Sequence, residues 1–366
     1  MSGPRNSPAF GRRSGIVLVV VLFFALLLAS TVATFARIAL IDHMVIKNRD
    51  ARARADALAR GGIRLATALL LEDKLGEASG GKPAAGASDV GPAAETAAGK
   101  PALDHREELW ARISGAPITF EDGSTLRIEI EDVAAKLNLN AAVVFDDAGV
   151  VDAKTTELLT RLFDKVIAEI TGPNEASLYD PAELAANLID YIDEDSLRQV
   201  GGEEDQTYQK RDPPARPANR ALLSVDELRR VEGFDARLLD ALRPYVTVYP
   251  YAGGGGINPN TAPPHVLSLL FFDDEVELRL ADEDTVRSIL AIRKDGGFVC
   301  GEGQSAEGCT PIRSLVTNAI FPEPNFTSNV FVVTARAQVG DVARRVEAVL
   351  DRSAGATPLL LSWRVL

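Results

Sequence analysis

Carboxylates are the densest chemical signal in the chain. Asp190, Asp193, Glu194 and Asp195 stand close together, and Glu203, Glu204, Asp205 and Asp212 follow behind the Gly201-Gly202 pair. So many negative charges in one segment repel each other unless water solvates them or a cation shares them. Hard oxygen ligands with turn-forming glycines suit calcium. The spacing is not that of an EF-hand, whose twelve-residue register and terminal Glu are missing. Zinc lacks nearby Cys or His ligands. Hydrolysis by paired carboxylates would need a substrate cleft, and the segment offers no aromatic lining for one. From the residues alone, a solvated acidic loop and a calcium site both stay open.

Cys300 and Cys309 are the only cysteines. Outside the cytoplasm they could close a disulfide across the hydrophilic loop between them, with a free thiol pair as the alternative. Two further segments are alike: Leu137-Asn138-Leu139-Asn140-Ala141 and Ile257-Asn258-Pro259-Asn260-Thr261-Ala262-Pro263. Each precedes an expected helix. There Asn or Thr can accept unpaired amide hydrogens, and Pro263 suits a first helical turn. Neither segment has a nucleophile or base beside it, so both read as caps. The tetraglycine Gly253–Gly256 reads as a flexible return. It lacks the Lys-Ser/Thr and the strand-to-helix setting of a phosphate loop.

The elements that position these groups begin with a membrane-length helix. Ile16 to Ala36 carries no charge over 21 residues. That suffices to cross about 30 Å of hydrocarbon, where only a helix satisfies its own backbone. Arg12 and Arg13 precede it in an acid-free stub, so the N-terminus is expected on the cytoplasmic side and the bulk outside. A cleaved secretory signal and an ordinary signal anchor are two readings of this stretch. Residues 37–76 keep an apolar stripe and should continue the helix. Gly61-Gly62 would bend it or mark a close contact. Residues 77–104, rich in Ala, Gly, Pro and Ser, read as a surface loop.

A helix is expected to restart near Asp104, and Ser124–Glu131 alternates as a half-buried strand does. The middle is mostly helical. Leu158–Ile170 and the segment opening at Pro181 have helical spacing, and Ser224-Val225-Asp226-Glu227 resembles a capping box. A short helix over Phe234–Leu242 and a strand at Tyr245–Tyr249 follow. Val286–Ile292 has a short apolar helical pattern. Asn329–Val339 and Leu359–Val365 read as strands, while Val342–Leu350 suits strand or helix. A chain of 366 residues should form more than one domain. Its net charge is -13, and removing residues 1–15 with their three arginines would leave -16. Such a balance argues against nonspecific nucleic-acid binding and suits cations or basic protein patches.

The N-terminus also resembles a type IV prepilin leader, cut by a membrane peptidase between Gly15 and Ile16. One departure is Val20, where that signal carries Glu at the fifth mature position. Over nearly its whole length the chain resembles the K-type minor pseudopilins of the type II secretion system. The resemblance rests on the leader, the Leu-Asn-x-Asn segment and Leu188-Ile189-Asp190-Tyr191-Ile192-Asp193-Glu194-Asp195. It continues through Gly201-Gly202-Glu203-Glu204-Asp205-Gln206-Thr207-Tyr208, Arg216-Pro217-Ala218-Asn219-Arg220, Ser224–Leu228 and Ile257–Pro263. Val20 agrees with it, because this subunit type commonly lacks the usual Glu.

The resemblance implies an α/β fold: a long N-terminal membrane helix packed on a pseudopilin antiparallel sheet, interrupted by a large, mainly helical domain. The expected divisions are 1–15 leader, 16–36 transmembrane, 37–131 helix and first part of the core, 132–312 inserted domain, and 313–366 last part of the core. It implies Ca2+ in the acidic loop, with Asp193, Asp195, Glu203, Asp205 and Asp212 as preferred ligands and Glu204 close behind. It also implies a structural role without turnover. The chain would start and cap a pseudopilus used to export folded proteins, anchored in the bacterial inner membrane with most of its length in the periplasm. Implied partners are the I-type and J-type minor pseudopilins, the major pseudopilin below them, the prepilin peptidase and the secreted protein substrates. Ile16 and Val20 are the expected assembly positions.

A second resemblance lies in the middle. Leu223–Phe234 with Ile257–Ala262 is similar to helix-hairpin-helix modules, which would imply a membrane-tethered protein of DNA uptake. The acidic balance and the absence of a basic hairpin patch argue against nucleic acid as a partner.

Overall fold

The computed structural model describes residues 14–78, 103–145, 150–172, 178–199, 201–273, 278–304, 307–316, 318–353 and 357–366. Residues 1–13 of the leader and most of the expected loop at 77–104 lie outside the described residues.

Helix α1 (Ser14–Ala78) runs unbroken for 65 residues. Its first half is an exposed apolar band that includes Ile16, Val20, Leu26 and Phe35. The band is long and apolar enough to cross a membrane. Farther out, Ala55, Ala59, Ile63, Ala66 and Leu70 recur at three- and four-residue steps and are buried against a sheet. Gly62 is the closest approach, since a Cβ there would stand 3.0 Å from Ala335 Cβ and 3.1 Å from Leu126 Cδ1. Gly61 meets nothing. Of the two glycines, only one marks a contact.

Helix α2 (Leu109–Ile113) starts later than expected and buries Trp110 beside α1. Strands β1 (Pro117–Thr119) and β2 (Thr125–Asp132) follow as an antiparallel pair. An inserted unit then begins with β3 (Leu137–Asn138) and α3 (Leu139–Ala142). Helices α4 (Ala153–Ile170), α5 (Pro181–Ile192), α6 (Glu204–Gln209) and α7 (Ala236–Leu242) come next. Leu158, Leu159, Leu162, Phe163 and Val166 of α4 meet Leu184 and Leu188 of α5 and Leu238, Leu239 and Leu242 of α7 in one core. Asp180 starts α5 by accepting from the Ala182 and Glu183 amides, with Pro181 in the first turn.

The unit continues through β4 (Val246–Thr247), α8 (Pro264–Leu267), β5 (Phe271–Asp273), β6 (Leu278–Leu280) and α9 (Glu283–Lys294). It ends with β7 (Phe298–Cys300), β8 (Cys309–Pro311), α10 (Ile312–Leu315) and β9 (Ala319–Phe321). The chain then returns to the first sheet as β10 (Val330–Val339), β11 (Val342–Asp351) and β12 (Leu359–Val365). The strand order is β1-β2-β10-β11-β12, antiparallel throughout.

Several local expectations change. Residues 225–230 form a 3-10 turn, and the Ser224 side chain makes no cap bond. Glu227 instead accepts from the Leu223 amide and from Arg220. The strand at 245–249 shrinks to the two residues of β4, parallel to β3. Pro263 is the N-cap of α8, and Pro264 takes the first position. Ile312 and Val316 pack in the core of the inserted unit, and β9 pairs with β5. The sheet therefore resumes at Val330, beyond the division expected at 313. The tetraglycine is not a loose return at its C-terminal end. A Cβ on Gly256 would lie 2.4 Å from the Pro322 carbonyl oxygen, and the Gly256 amide donates to Glu323 O at 2.6 Å.

Candidate cation loop and the buried junction

The last turn of α5 carries Asp190 and ends at Asp193, its C-cap. Asp193 is only 3% exposed, yet neither of its carboxylate oxygens has a partner at hydrogen-bond geometry, and the nearby Gln199 side chain only weakly favours the charged form. Asp190 Oδ2 and Asn219 Oδ1 are likewise buried without such a partner. Asp190 Oδ1 accepts from the Gln199 amide at 2.8 Å, and Arg198 Nε stands 3.7 Å from Oδ2. Burial pushes the Asp193 carboxyl up to about 7, and the charges of Asp195 and Asp190 push the same way. Burial also raises Asp190.

The loop is folded by its own polar bonds. Asp195 Oδ1 accepts from the Leu197 amide at 2.6 Å, and Asp195 O accepts from Asn219 Nδ2 at 2.7 Å. Asn219 sits at φ 47°, and its amide donates to Tyr191 O at 3.1 Å. Leu197 and Glu203 form a bridge between the two arms. Glu203 is exposed and accepts from Gln206, and Asp212 is exposed. The side chains of Glu204 and Asp205 lie outside the described residues. Among the described residues, no three carboxylates of this loop bring oxygens within 4.8 Å of one another.

A 610 Å³ cavity opens here, lined among others by Asn140, Asp193, Asp195 and Arg220. The orphaned oxygens of Asp190, Asp193 and Asn219 are the kind a hard cation satisfies. That donor chemistry suits calcium at Asp193, on which the charges of Asp195 and Asp190 act. Asp190 and Asn219 were absent from the ligands expected from sequence. Asp190 was legible as part of the acidic run, whereas Asn219 carries no charge and was legible only as part of the Arg216–Arg220 motif.

The two Asn-x-Asn segments do more than cap. In each, the first Asn accepts from the amide two residues on: Asn138 from Asn140 at 3.0 Å, and Asn258 from Asn260 at 2.9 Å. The second Asn reaches across to a distant backbone. Asn140 accepts from Leu222 N at 2.8 Å and donates to Leu222 O and Val248 O. Asn260 accepts from Val299 N at 2.7 Å and donates to Val299 O at 2.8 Å. The same device is used twice to tie loops together.

Asn258 leads into a buried polar junction between the unit and the sheet. Its Nδ2 donates to Asp104 O and Asp132 Oδ2, both at 3.2 Å, while Asp132 Oδ2 also accepts from Thr261 at 2.5 Å. Arg352 donates to Asp104 and Asp73, both at 2.5 Å, and to Ser328 O at 2.9 Å. Asp73, Asp104 and Glu108 form a group of three carboxylates with oxygens within 4.8 Å of one another. Arg352 supplies the cation there. Burial pushes Glu108 up to about 7, Asp73 adds to the rise, and the Trp110 indole N–H opposes it.

Cys300 and Cys309 are joined, with Cα atoms 5.8 Å apart. They belong to β7 and β8, which pair in parallel. At the other end of the chain, Ile16 and Val20 lie exposed on the apolar band of α1, 68% and 46% respectively.

Comparison with known proteins points one way. The family described as "Type II secretion system (T2SS), protein K" matches residues 135–251. Type II secretion system protein K of Klebsiella pneumoniae is 29% identical over 289 residues, 78% of this chain and 77% of that one. The protein of the same name from Aeromonas hydrophila is 28% identical over 249 residues, covering 66% and 71%. The fold is similar to a chain in the crystal structure of the GspK-GspI-GspJ complex from the enterotoxigenic Escherichia coli type 2 secretion system. The TM-score is 0.57 at 18% identity, over 87% of this chain and 98% of that one.

Proposed function

The chain belongs to the family of type II secretion system protein K, a minor pseudopilin, and on that premise we propose that it starts and caps the pseudopilus. The family is a structural component of the secretion machinery and not a known enzyme class. One N-terminal apolar helix fits a single-pass inner-membrane protein. The peptidase would cut after Gly15, leaving Ile16 as the mature, N-methylated end, with the sheet and inserted unit in the periplasm. I-type and J-type subunits would be its partners, as GspI and GspJ are those of GspK in the related complex. The major pseudopilin would continue below, and export of folded proteins would follow from growth of the fibre.

The observation that carries this reading is continuity. A single helix, α1, runs from the exposed apolar band into the face of the sheet, and a large unit is inserted between β2 and β10. A bulky insertion is accommodated at an end more easily than repeatedly along a packed shaft. Val20 supports the same place. A Glu there could compensate the terminal amine of a neighbour inside the apolar bundle, where a lone charge is costly. Val20 offers no such carboxylate, so no further subunit needs to stack above.

Calcium would hold the acidic loop through Asp193 and its neighbours, supplying positive charge that lets the carboxylates stay ionised together. The assembly reading is tested by site-specific crosslinking from positions beside Ile16 and Val20, with labelled minor and major pseudopilins. The expected products are one-sided, with minor subunits and the top of the shaft. Regular homopolymers, or frequent placement along the shaft, would overturn it.

A further inference from the structure

The solvent face of the sheet carries a row of arginines that the fold itself does not explain. Arg336 on β10 is directly opposite Arg127 on β2 and directly opposite Arg345 on β11. All three are exposed. Like charges directly opposite one another on adjacent strands destabilise a sheet. Glu129 reaches Arg336 at 3.4 Å, and no ion pair among the described residues involves Arg127 or Arg345. The row lies in a 620 Å³ concavity whose walls include Pro117, Gln338 and Leu366. The next rung of the same face is Glu129–Thr334–Glu347, so the positive charge is confined to the arginine rung and its concavity.

We propose that the Arg127–Arg336–Arg345 row is a docking surface for an acidic helix of a partner protein, laid across the strands. Charge complementarity selects carboxylates, and spacing selects the helix. Neighbouring strands lie about 4.8 Å apart. Carboxylates at i and i+4 on one helix face stand about 5–6 Å apart, close to that repeat. Alternate residues of a bound strand lie about 6.6 Å apart and drift out of step. Lipid headgroups are a poorer match because of distance. Arg344, next to Arg345, pairs with Asp56 of α1 at 3.1 Å. Asp56 is roughly 28 Å along the helix from Arg37, where the apolar band ends. That exceeds the reach of surface charge, about 8–10 Å in physiological salt.

The test uses the full chain in detergent and a synthetic alanine-based helix with Glu at i, i+4 and i+8, against its Gln analogue. Fluorescence anisotropy should show the Glu peptide bound at low salt, released at high salt, and the Gln peptide unbound. Arg127→Gln with Arg345→Gln should weaken binding at least about tenfold, while Arg287→Gln on α9 should not. The double variant should melt at the same temperature as the parent or higher, because a repulsion has been removed. Equal binding of both peptides, unchanged binding by the double variant, or a lowered melting temperature would overturn the proposal. So would crosslinks from these arginine positions to phosphatidylglycerol headgroups in reconstituted liposomes without peptide binding. The probe is a defined peptide, so the result stands apart from the secretion assembly.

Discussion

Arg352 and Asp104, 248 positions apart in the sequence, meet at 2.5 Å where neither is more than 2% exposed. Asp104 lies ahead of α2, Arg352 directly follows β11, and the guanidinium also lies 5.0 Å over the Phe331 ring. The pair fastens three parts of the chain at one point: the end of α1 through Asp73, the end of the sheet, and the inserted unit through Asn258. Breaking a buried pair leaves an uncompensated charge, so Arg352→Met should cost about 3–5 kcal/mol. Asp104→Asn added to it should cost much less than the sum of the two changes. Denaturant melts of the three variants measure this, and additive losses would show that the two groups act independently.

Glu108 makes the same junction sensitive to pH. Its folded carboxyl titrates at about 7, above the ordinary 4.5. The folded state therefore binds this proton more tightly than the unfolded one. Its contribution is fully present below about 4.5 and is lost as pH rises through about 7. Asp73, Asp104, Arg352 and the Trp110 indole face it. Glu108→Gln should therefore gain melting temperature relative to the parent as pH rises from 5 to 8. A constant difference across that range would reject the assignment.

Asp193 predicts the behaviour of the acidic loop. With its carboxyl raised to about 7, the metal-free loop loses stability as pH rises from about 4 through 7. A calcium ion needs the ionised form, so its affinity should increase over the same window and binding should release a proton below pH 7. Calorimetry in buffers of different ionisation enthalpy reads that proton directly. Asp193→Asn should stabilise the metal-free chain at pH 8 and remove most of the calcium response, while Asp284→Asn on α9 should do neither. Unchanged melting on adding calcium and then chelator would dismiss the site.

Much of this architecture was legible as periodicity. α1, α4 and α5 show helical spacing, and β2, β10 and β12 alternate or run apolar between breaks. Val342–Leu350 was ambiguous because Val-Ala-Arg-Arg-Val-Glu-Ala-Val-Leu suits either period. The structure settles it through a two-residue hairpin: Val339 pairs with Val342, and Gly340 takes φ 57°. What sequence could not give were the partners of residues whose chemistry is ordinary. Asn260 looks like a cap, and its amide does donate a local bond to Asn258 Oδ1, but its side chain is spent on Val299. Likewise the acidic loop announced its charge, while the buried oxygens that matter depend on which carboxylates the end of α5 turns inward. Asp193 turned inward, whereas Glu203 and Asp212 remain exposed.

The cysteine pair closes the loop that follows that Asn260–Val299 tie. Cys300 is buried one residue after Val299, and Gln304 within the loop accepts from the Gly301 amide at 2.8 Å. A covalent link between β7 and β8 should hold Val299 in register for Asn260. Closing a loop of this length removes chain entropy worth about 2.5 kcal/mol. Nonreducing peptide mapping of the protein taken from the periplasmic side should recover one linked peptide containing both residues. A Cys300→Ser, Cys309→Ser double variant should lose about 2–3 kcal/mol in denaturant melts. Its Val299 amide, which donates to Asn260 Oδ1, should exchange hydrogen faster than in the parent, while amides in α4 change little. Two free thiols in the mapped protein would refute the bond. Protection of Val299 unchanged in the double variant would show that the tie stands without it.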